Sequence, residues 1–438
     1  MAIRRTQTMA AAKGPRPRAP DQGSAATAAA ASGLDEDAFS TLKLRSACFG
    51  LDAHPSKHLL AAGLISGQVK LFSYDTPSED PEGGSARQLW SARPHEGACR
   101  ATVFAADGAS LYSTGGDGTL QQRDIEANKP LWRRRRAHKS AVNALTRMGD
   151  SGGVATGDDD GVVRCWDMRQ RSVALEFCEQ SDYVSDILYT DQKNKHTLVV
   201  SGGDGYLAVF DLRAGRLWAR SDQQEDELLC LCLLKRGKKL LTGTEGGPVG
   251  IFSWGDWGDI SDRMLGHPSS VDAMVAHSED HVITGAADGL LRLVSVHPNK
   301  VLGVLGEHGE AGVEALTLDH DHQVLASAAH DNTIRLWDIK YLEDDGEEGE
   351  EDPDDGEGDA DDDDDDSDDD DSDDDGAASS VPKLAKTSKG RAASSRASSV
   401  GDYTDGASTL GGRKRKQVAD IPRPGAAISL SQGFFRDM

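Results

Sequence analysis

The chain has 438 residues, with 74 acidic against 48 basic side chains, a formal net charge of −26 and only 5% aromatic residues. That length accommodates one domain of roughly 300 residues with tails at both ends. No run of 18 apolar residues occurs, so a membrane-crossing helix is not expected.

Residues 1–36 read as a disordered tail rich in Ala, Pro and Arg, with Arg4, Arg5, Lys13, Arg16 and Arg18 and no acidic residue before Asp21. An organelle transit peptide shares this composition, but the stretch has no amphipathic face. From residue 37 the pattern changes to short apolar runs of strand period.

Val324 to Asp338 reads VLASAAHDNTIRLWD: a small apolar strand, a polar turn and a second strand ending in Trp337-Asp338. One hairpin cannot bury its own face, and the chain supplies more copies. Val154 to Asp167 is VATGDDDGVVRCWD, Leu111 to Asp124 is LYSTGGDGTLQQRD and Leu198 to Asp211 is LVVSGGDGYLAVFD; weaker copies end at Ser73, Ser253 and Ser295. The end positions are spaced by 51, 43, 44, 42, 42 and 43 residues. A period of about 40–45 residues closing on Trp-Asp is the signature of WD repeats, four strands per blade. Seven copies predict an all-β, seven-bladed WD-repeat β-propeller over 37–342, with disordered N- and C-terminal tails. The long first interval is explained by a loop insertion at Thr76–Ala86.

Within a repeat, four polar positions need one another. His138, Thr156, Asp160 and Trp166 in blade three, and His308, Ser327, Asp331 and Trp337 in blade seven, are expected to form hydrogen-bonded chains. A buried carboxylate, imidazole and indole N–H each cost about 1–3 kcal/mol if left unpartnered. Catalytic triads are the competing reading, but the sets recur blade by blade and do not converge on one pocket. Blade two keeps His95, Ser113 and Asp117 with Arg123 in place of Trp, and blade six keeps His267, Thr284 and Asp288 with Val294. Blade five has Gly246 and Phe252, and blade one Ser66 and Phe72, so these two are expected to be the softest.

Only IKYLEDD separates Asp338 from a strongly acidic tract, which leaves blade seven without a fourth strand. An open edge invites aggregation, so residues near 38–44 are expected to return and close the ring. Arg133 to Arg136 fall at the end of blade two's outer strand, either as a solvated rim or as a contact for phosphate or an acidic partner. The six cysteines show no CxxC spacing and read as core thiols of a reducing compartment, with no metal site or cofactor motif.

Residues 343–375 carry 25 Asp/Glu and no Lys/Arg; without them 49 acidic residues face 48 basic ones, so the net charge belongs to this tract. Such a segment stays extended and disordered. It argues against direct nucleic-acid binding and for basic protein clients, such as ribosomal proteins or histones. Ser367 and Ser372, each followed by three aspartates, fit acidophilic kinase sites. Residues 376–438 are a low-complexity tail. Its cluster Arg413, Lys414, Arg415 and Lys416 reads as a nuclear localisation signal, and Phe434-Phe435 as a short terminal anchor.

The phrases HPSKHLLAAGLISGQVKLFSY, ATGDDDGVVRCWD, SDRMLGHPSSVDAM and HPNKVLGVLGEHGE, with the tail order of acidic run, basic cluster and terminal FF, resemble the WD repeat-containing protein 55 family over roughly residues 45–340. The resemblance implies a nucleolar factor in ribosome biogenesis and ribosomal RNA processing, acting as a scaffold without catalysis and bound to pre-ribosomal assembly factors. A second expectation comes from Trp166-Asp167-Met168-Arg169, which resembles the box by which some propellers dock the adaptor of cullin-RING ubiquitin ligases; Trp166, Asp167 and Arg169 would form it. Histone binding through the acidic tract is a third. The expected location is the nucleus and nucleolus, and the expected state a monomer.

Overall fold

In this computed structural model, residues 38–77, 85–149, 152–192 and 195–342 are described. They form 28 strands arranged as seven antiparallel four-stranded sheets. Six sheets are built from consecutive strands: blade one spans Cys48–Ala92, two Cys99–Arg134, three Val142–Phe177, four Val184–Arg220, five Leu228–Met264 and six Val271–Glu307. Blade seven departs from this order. Its innermost strand is Val313–Leu318, and its outermost is Ser40–Lys43, from the other end of the domain.

That strand closes the ring as expected. It pairs antiparallel with Thr333–Asp338, Ser40 opposite Leu336 and Lys43 opposite Thr333, and Leu44 N–H donates to Asn332 O at 2.8 Å. Phe39, Leu42 and Leu44 pack on the cluster formed by Leu336, Ile334, Val324 and Phe72, so blades seven and one share one core. The loop insertion of blade one ends one residue earlier than its sequence suggests, because Ala86 already pairs with Tyr74.

Burial follows position within a blade. The second strands of blades two, three, four and seven are buried along their whole length. Each lies between two neighbouring blades, so both of its faces must be apolar or small. Outer strands such as Arg216–Arg220 alternate between exposed and half-buried. The Asp-Gly turns fit tightly between blades. Gly118 has φ +65° and Gly289 φ +81°, and a Cβ on either would lie within 3 Å of a carbonyl oxygen of the next segment, His138 O and Gly309 O. Only glycine meets both demands.

The polar chain of blade seven forms as the repeat pattern implied. His308 Nδ1 is 3.2 Å from Asp331 and its Nε2 2.7 Å from Ser327 Oγ, which accepts the Trp337 indole N–H at 2.8 Å. A carboxylate can only accept, so Nδ1 carries a proton; burial holds the His308 pKa down, against the Asp331 carboxylate. In blade three the acceptor is not Asp160. His138 Nδ1 donates to Asp158 Oδ2 at 2.8 Å, Nε2 meets Thr156 Oγ1 at 2.7 Å, and Trp166 donates to the same hydroxyl at 2.9 Å. Other blades place Gly115, Ala286 or Ala329 where blade three has Asp158. A carboxylate at that nearer position reaches the histidine first, while its other oxygen takes the N–H groups of Asp160 and Val162. Asp160 is left exposed, since two carboxylates on one buried imidazole would repel.

The degraded blades compensate individually. In blade two Arg123, in place of the indole, donates to Asn128 O and Oδ1. In blade six Arg292 captures Asp288, leaving His267 with Thr284 alone. Gln180 substitutes for histidine in blade four and donates to Tyr206 O at 3.0 Å. Blade five fills the gap with the buried Phe252 and Trp257, the latter edge-on to Trp254 and Trp218. In blade one Ser46 and Ser66 make one contact of 3.3 Å.

All six cysteines are free; five are buried as expected, whereas Cys178 is exposed.

Candidate functional site: the mouth of the central channel

The innermost strand of every blade carries a β-bulge at the same place, seen as a register break after Cys48, Cys99, Val142, Val184, Leu228, Val271 and Val313. A bulge re-aims the side chain it releases from pairing. The seven released residues are Phe49, Arg100, Asn143, Ser185, Leu229, Asp272 and Glu314, one per blade, and all seven line a single cavity of about 750 Å³. The repeat thus builds a ring of seven variable side chains on an invariant backbone frame.

The ring has distinct sectors. Arg100 Nη1 lies 3.0 Å from Asp159 and also bonds Asn143, whose amide donates to Asp159 at 2.6 Å. Blades two and three are therefore locked together by a compensated polar cluster. Ser185 Oγ donates to Leu228 O, and the Tyr183 hydroxyl to Glu227 at 2.6 Å. Blades six and seven hold Asp272 and Glu314, the latter 3.0 Å from His330, with Phe49 edge-on to that imidazole at 6.2 Å. Across the whole lining, five carboxylates (Asp159, Asp182, Asp186, Asp272 and Glu314) face one guanidinium.

Three of these carboxylates sit deep enough to resist ionisation. Burial raises the pKa of Asp186, although the Leu231 and Ile187 N–H groups oppose it. Burial likewise raises Asp272 and Glu314, with His330 offsetting part of the effect on each and Asp272 adding to that on Glu314. Below the ring, Asp52 accepts the Phe104 N–H at 2.7 Å and Asp186 the Leu231 N–H at 2.9 Å, each clasping the next blade. Among the described residues lining the cavity the one guanidinium, Arg100, is held by Asp159 and Asn143, which leaves the sector around Asp272 and Glu314 suited to a positively charged group from outside.

The other positions singled out in the sequence lie elsewhere. Arg133 is half-buried, 3.6 Å from Asp117, and serves blade two; Arg134, Arg135 and Arg136 are exposed at the rim. In the Trp166-Asp167-Met168-Arg169 box, Asp167 caps the turn that follows its strand. Its side chain is wholly buried and accepts the N–H groups of Arg169 and Gln170, while the Arg169 side chain remains 51% exposed. Ser367, Ser372 and Arg413 to Lys416 lie outside the described residues. The members of the channel ring share no residue type that would mark them in the sequence. Its signal was positional: one residue after the buried start of each first strand.

The family model WDR55 matches residues 39–342. The chain belongs to the WD repeat-containing protein 55 family. It is 38% identical over 295 residues to WD repeat-containing protein 55 of Arabidopsis thaliana, covering 67% of this chain and 81% of that protein. The human protein of the same name is 34% identical over 293 residues, 67% of this chain and 74% of its own. WD repeat-containing protein JIP5 of Coprinopsis cinerea is 35% identical over 302 residues, 66% and 72% respectively. The family's fold is generally a non-enzymatic scaffold for protein interactions. In all three comparisons the aligned length is close to that of the propeller described here.

Proposed function

We propose that this member of the family is a scaffold in ribosome biogenesis and ribosomal RNA processing in the nucleus and nucleolus, and that its channel mouth receives a basic segment of a pre-ribosomal protein. The observation that carries the reading is the charge of the mouth, where among the described lining residues five carboxylates, Asp272 and Glu314 included, face the single guanidinium of Arg100. A cationic side chain entering there would supply the missing counter-charge and favour the ionised carboxylates. The acidic tract 343–375 adds a sequence-independent attraction for the same class of partner. The basic cluster Arg413–Lys416 fits nuclear import.

The test is affinity purification from nuclear extract with three full-length forms: wild type, Asp272→Asn/Glu314→Gln, and a 343–375 deletion. Ribosomal proteins and assembly factors should be recovered with wild type and depleted several-fold with the charge-neutral double variant. Recovery of histones in their place, or identical recovery by all three forms, overturns the reading.

A second reading, docking to a cullin-RING ligase adaptor, is favoured by the exposed Arg169 beside the buried Asp167. Arg169→Ala keeps the backbone N–H bonds to Asp167 and should abolish adaptor co-precipitation; no adaptor with wild type refutes it.

A further inference from the structure

At the end of the ring opposite the channel mouth, three unsatisfied atoms converge across the seam between blades one and seven. His58 belongs to the turn between Cys48–Ala53 and Leu59–Leu64 in blade one; Asp319 and His320 begin the turn between Val313–Leu318 and Val324–Ala329 in blade seven. The Asp319 side chain is 1% exposed. Its Oδ1 accepts the Gln323 and Val324 N–H groups at 3.0 Å each, which fixes the carboxylate. Among the described residues its Oδ2 has no hydrogen-bond partner, and neither has His58 Nδ1 or His320 Nδ1. His58 Nδ1 and Asp319 Oδ2 are 3.6 Å apart, too far for a hydrogen bond. The two imidazole rings are 4.9 Å apart, and one ligand atom from each of the three residues lies within 4.8 Å of the other two.

We propose that His58, Asp319 and His320 bind a divalent transition-metal ion that clamps blade one to blade seven. A proton on His58 could engage only one neighbour, whereas an ion engages all three orphan atoms at once. Two imidazoles and a carboxylate are a donor set for Zn²⁺ and its neighbours, and not for Ca²⁺ or Mg²⁺. Bond lengths of about 2.0–2.2 Å in a tetrahedron put donor atoms about 3.3–3.6 Å apart. The His58–Asp319 pair already has that spacing. The remaining gap closes by about 1 Å through rotation of the two histidines, which are only partly buried. The Nε2 of His320 lies 3.3 Å from Asp321, a carboxylate near enough to orient the ring once its Nδ1 is bound. The ion would hold the turn ends of the same two blades that the Ser40–Lys43 strand joins at the rim.

The experiment loads full-length, chelator-stripped protein with Co²⁺ or Zn²⁺ alone. Cobalt at a tetrahedral nitrogen-containing site gives intense visible bands, whereas cobalt on the all-carboxylate acidic tract stays octahedral and pale, so the spectrum separates the two. Wild type should show the intense bands at one equivalent, and Zn²⁺ at a hundredfold excess over Kd should raise the melting temperature by about 5 °C. His58→Gln and His320→Gln should each lose both effects while melting, without metal, close to wild type; His297→Gln, remote from the seam, should keep them. Pale cobalt binding alone in wild type, or intense bands undiminished in both seam variants, overturns the proposal. Should one variant fail to fold, the wild-type spectrum and the other variant still decide.

Discussion

Arg292 holds Asp288 through both terminal guanidinium nitrogens, at 3.0 and 2.6 Å, and thereby takes from His267 the carboxylate that its repeat provides. His267 keeps its bond to Thr284 at 2.9 Å, but its Nδ1 has no partner among the described residues. Burial, reinforced by the Arg292 charge, pushes its pKa down to about 4. Arg292→Leu releases Asp288 to turn toward the ring and removes the repulsive charge. We expect the His267 pKa, followed by NMR titration of the imidazole, to rise by about one unit or more. A value that stays near 4 would show that burial alone sets it.

In blade three the loss of Asp158 should be far more damaging than that of Asp160. Burial by itself would raise the Asp158 carboxyl, but the bonds from His138 and the Val162 N–H outweigh it and hold its pKa below the usual range. Asp158→Ala strands a buried imidazole and opens the turn, at about 3 kcal/mol. Asp160→Ala removes an exposed side chain and should shift stability by less than about 0.5 kcal/mol. Urea unfolding of the two variants side by side checks this; equal losses would contradict the assignment.

Ring closure rests on a short strand from the N-terminal side. Deleting residues 34–45 uncovers the backbone edge of Thr333–Asp338 and removes Phe39, Leu42 and Leu44 from the shared core of blades one and seven. Aggregation on heating, or a melting temperature at least about 10 °C lower, is expected. A truncated protein that melts like the full chain would mean that the ring holds without its closing strand.

Asp52 gives stability a pH dependence of identifiable sign. Burial pushes its carboxyl up to about 7 from an ordinary 3.8, against the Phe104 N–H and Arg147, which favour the ion. The folded protein therefore keeps a proton that the unfolded chain releases from about pH 4 upward. The contribution of this group is full below pH 4 and is lost as pH rises through 7. Asp52→Asn keeps an acceptor for Phe104 N–H and cannot ionise. It should match wild type near pH 4 and exceed it at pH 8 by at least about 2 kcal/mol. Parallel urea midpoints for both proteins between pH 4 and 8 would remove Asp52 as the cause.

The sequence by itself determined the number of blades, the strand order and the need for a closing strand, because each depends on period and chain continuity alone. It also determined the polar chain of blade seven, where His308, Ser327, Asp331 and Trp337 have no rival nearby. It could not choose between Asp158 and Asp160: both fit the spacing, and the choice turns on which carboxylate reaches His138 first in three dimensions. Nor could it foresee that Arg292 diverts Asp288, since the two lie four residues apart and meet only across a folded turn. The channel ring and the His58–Asp319–His320 cluster belong wholly to the tertiary structure. Phe49 and Glu314, or His58 and His320, are more than 250 residues apart in the chain, and closing the ring between blades seven and one is what makes them neighbours.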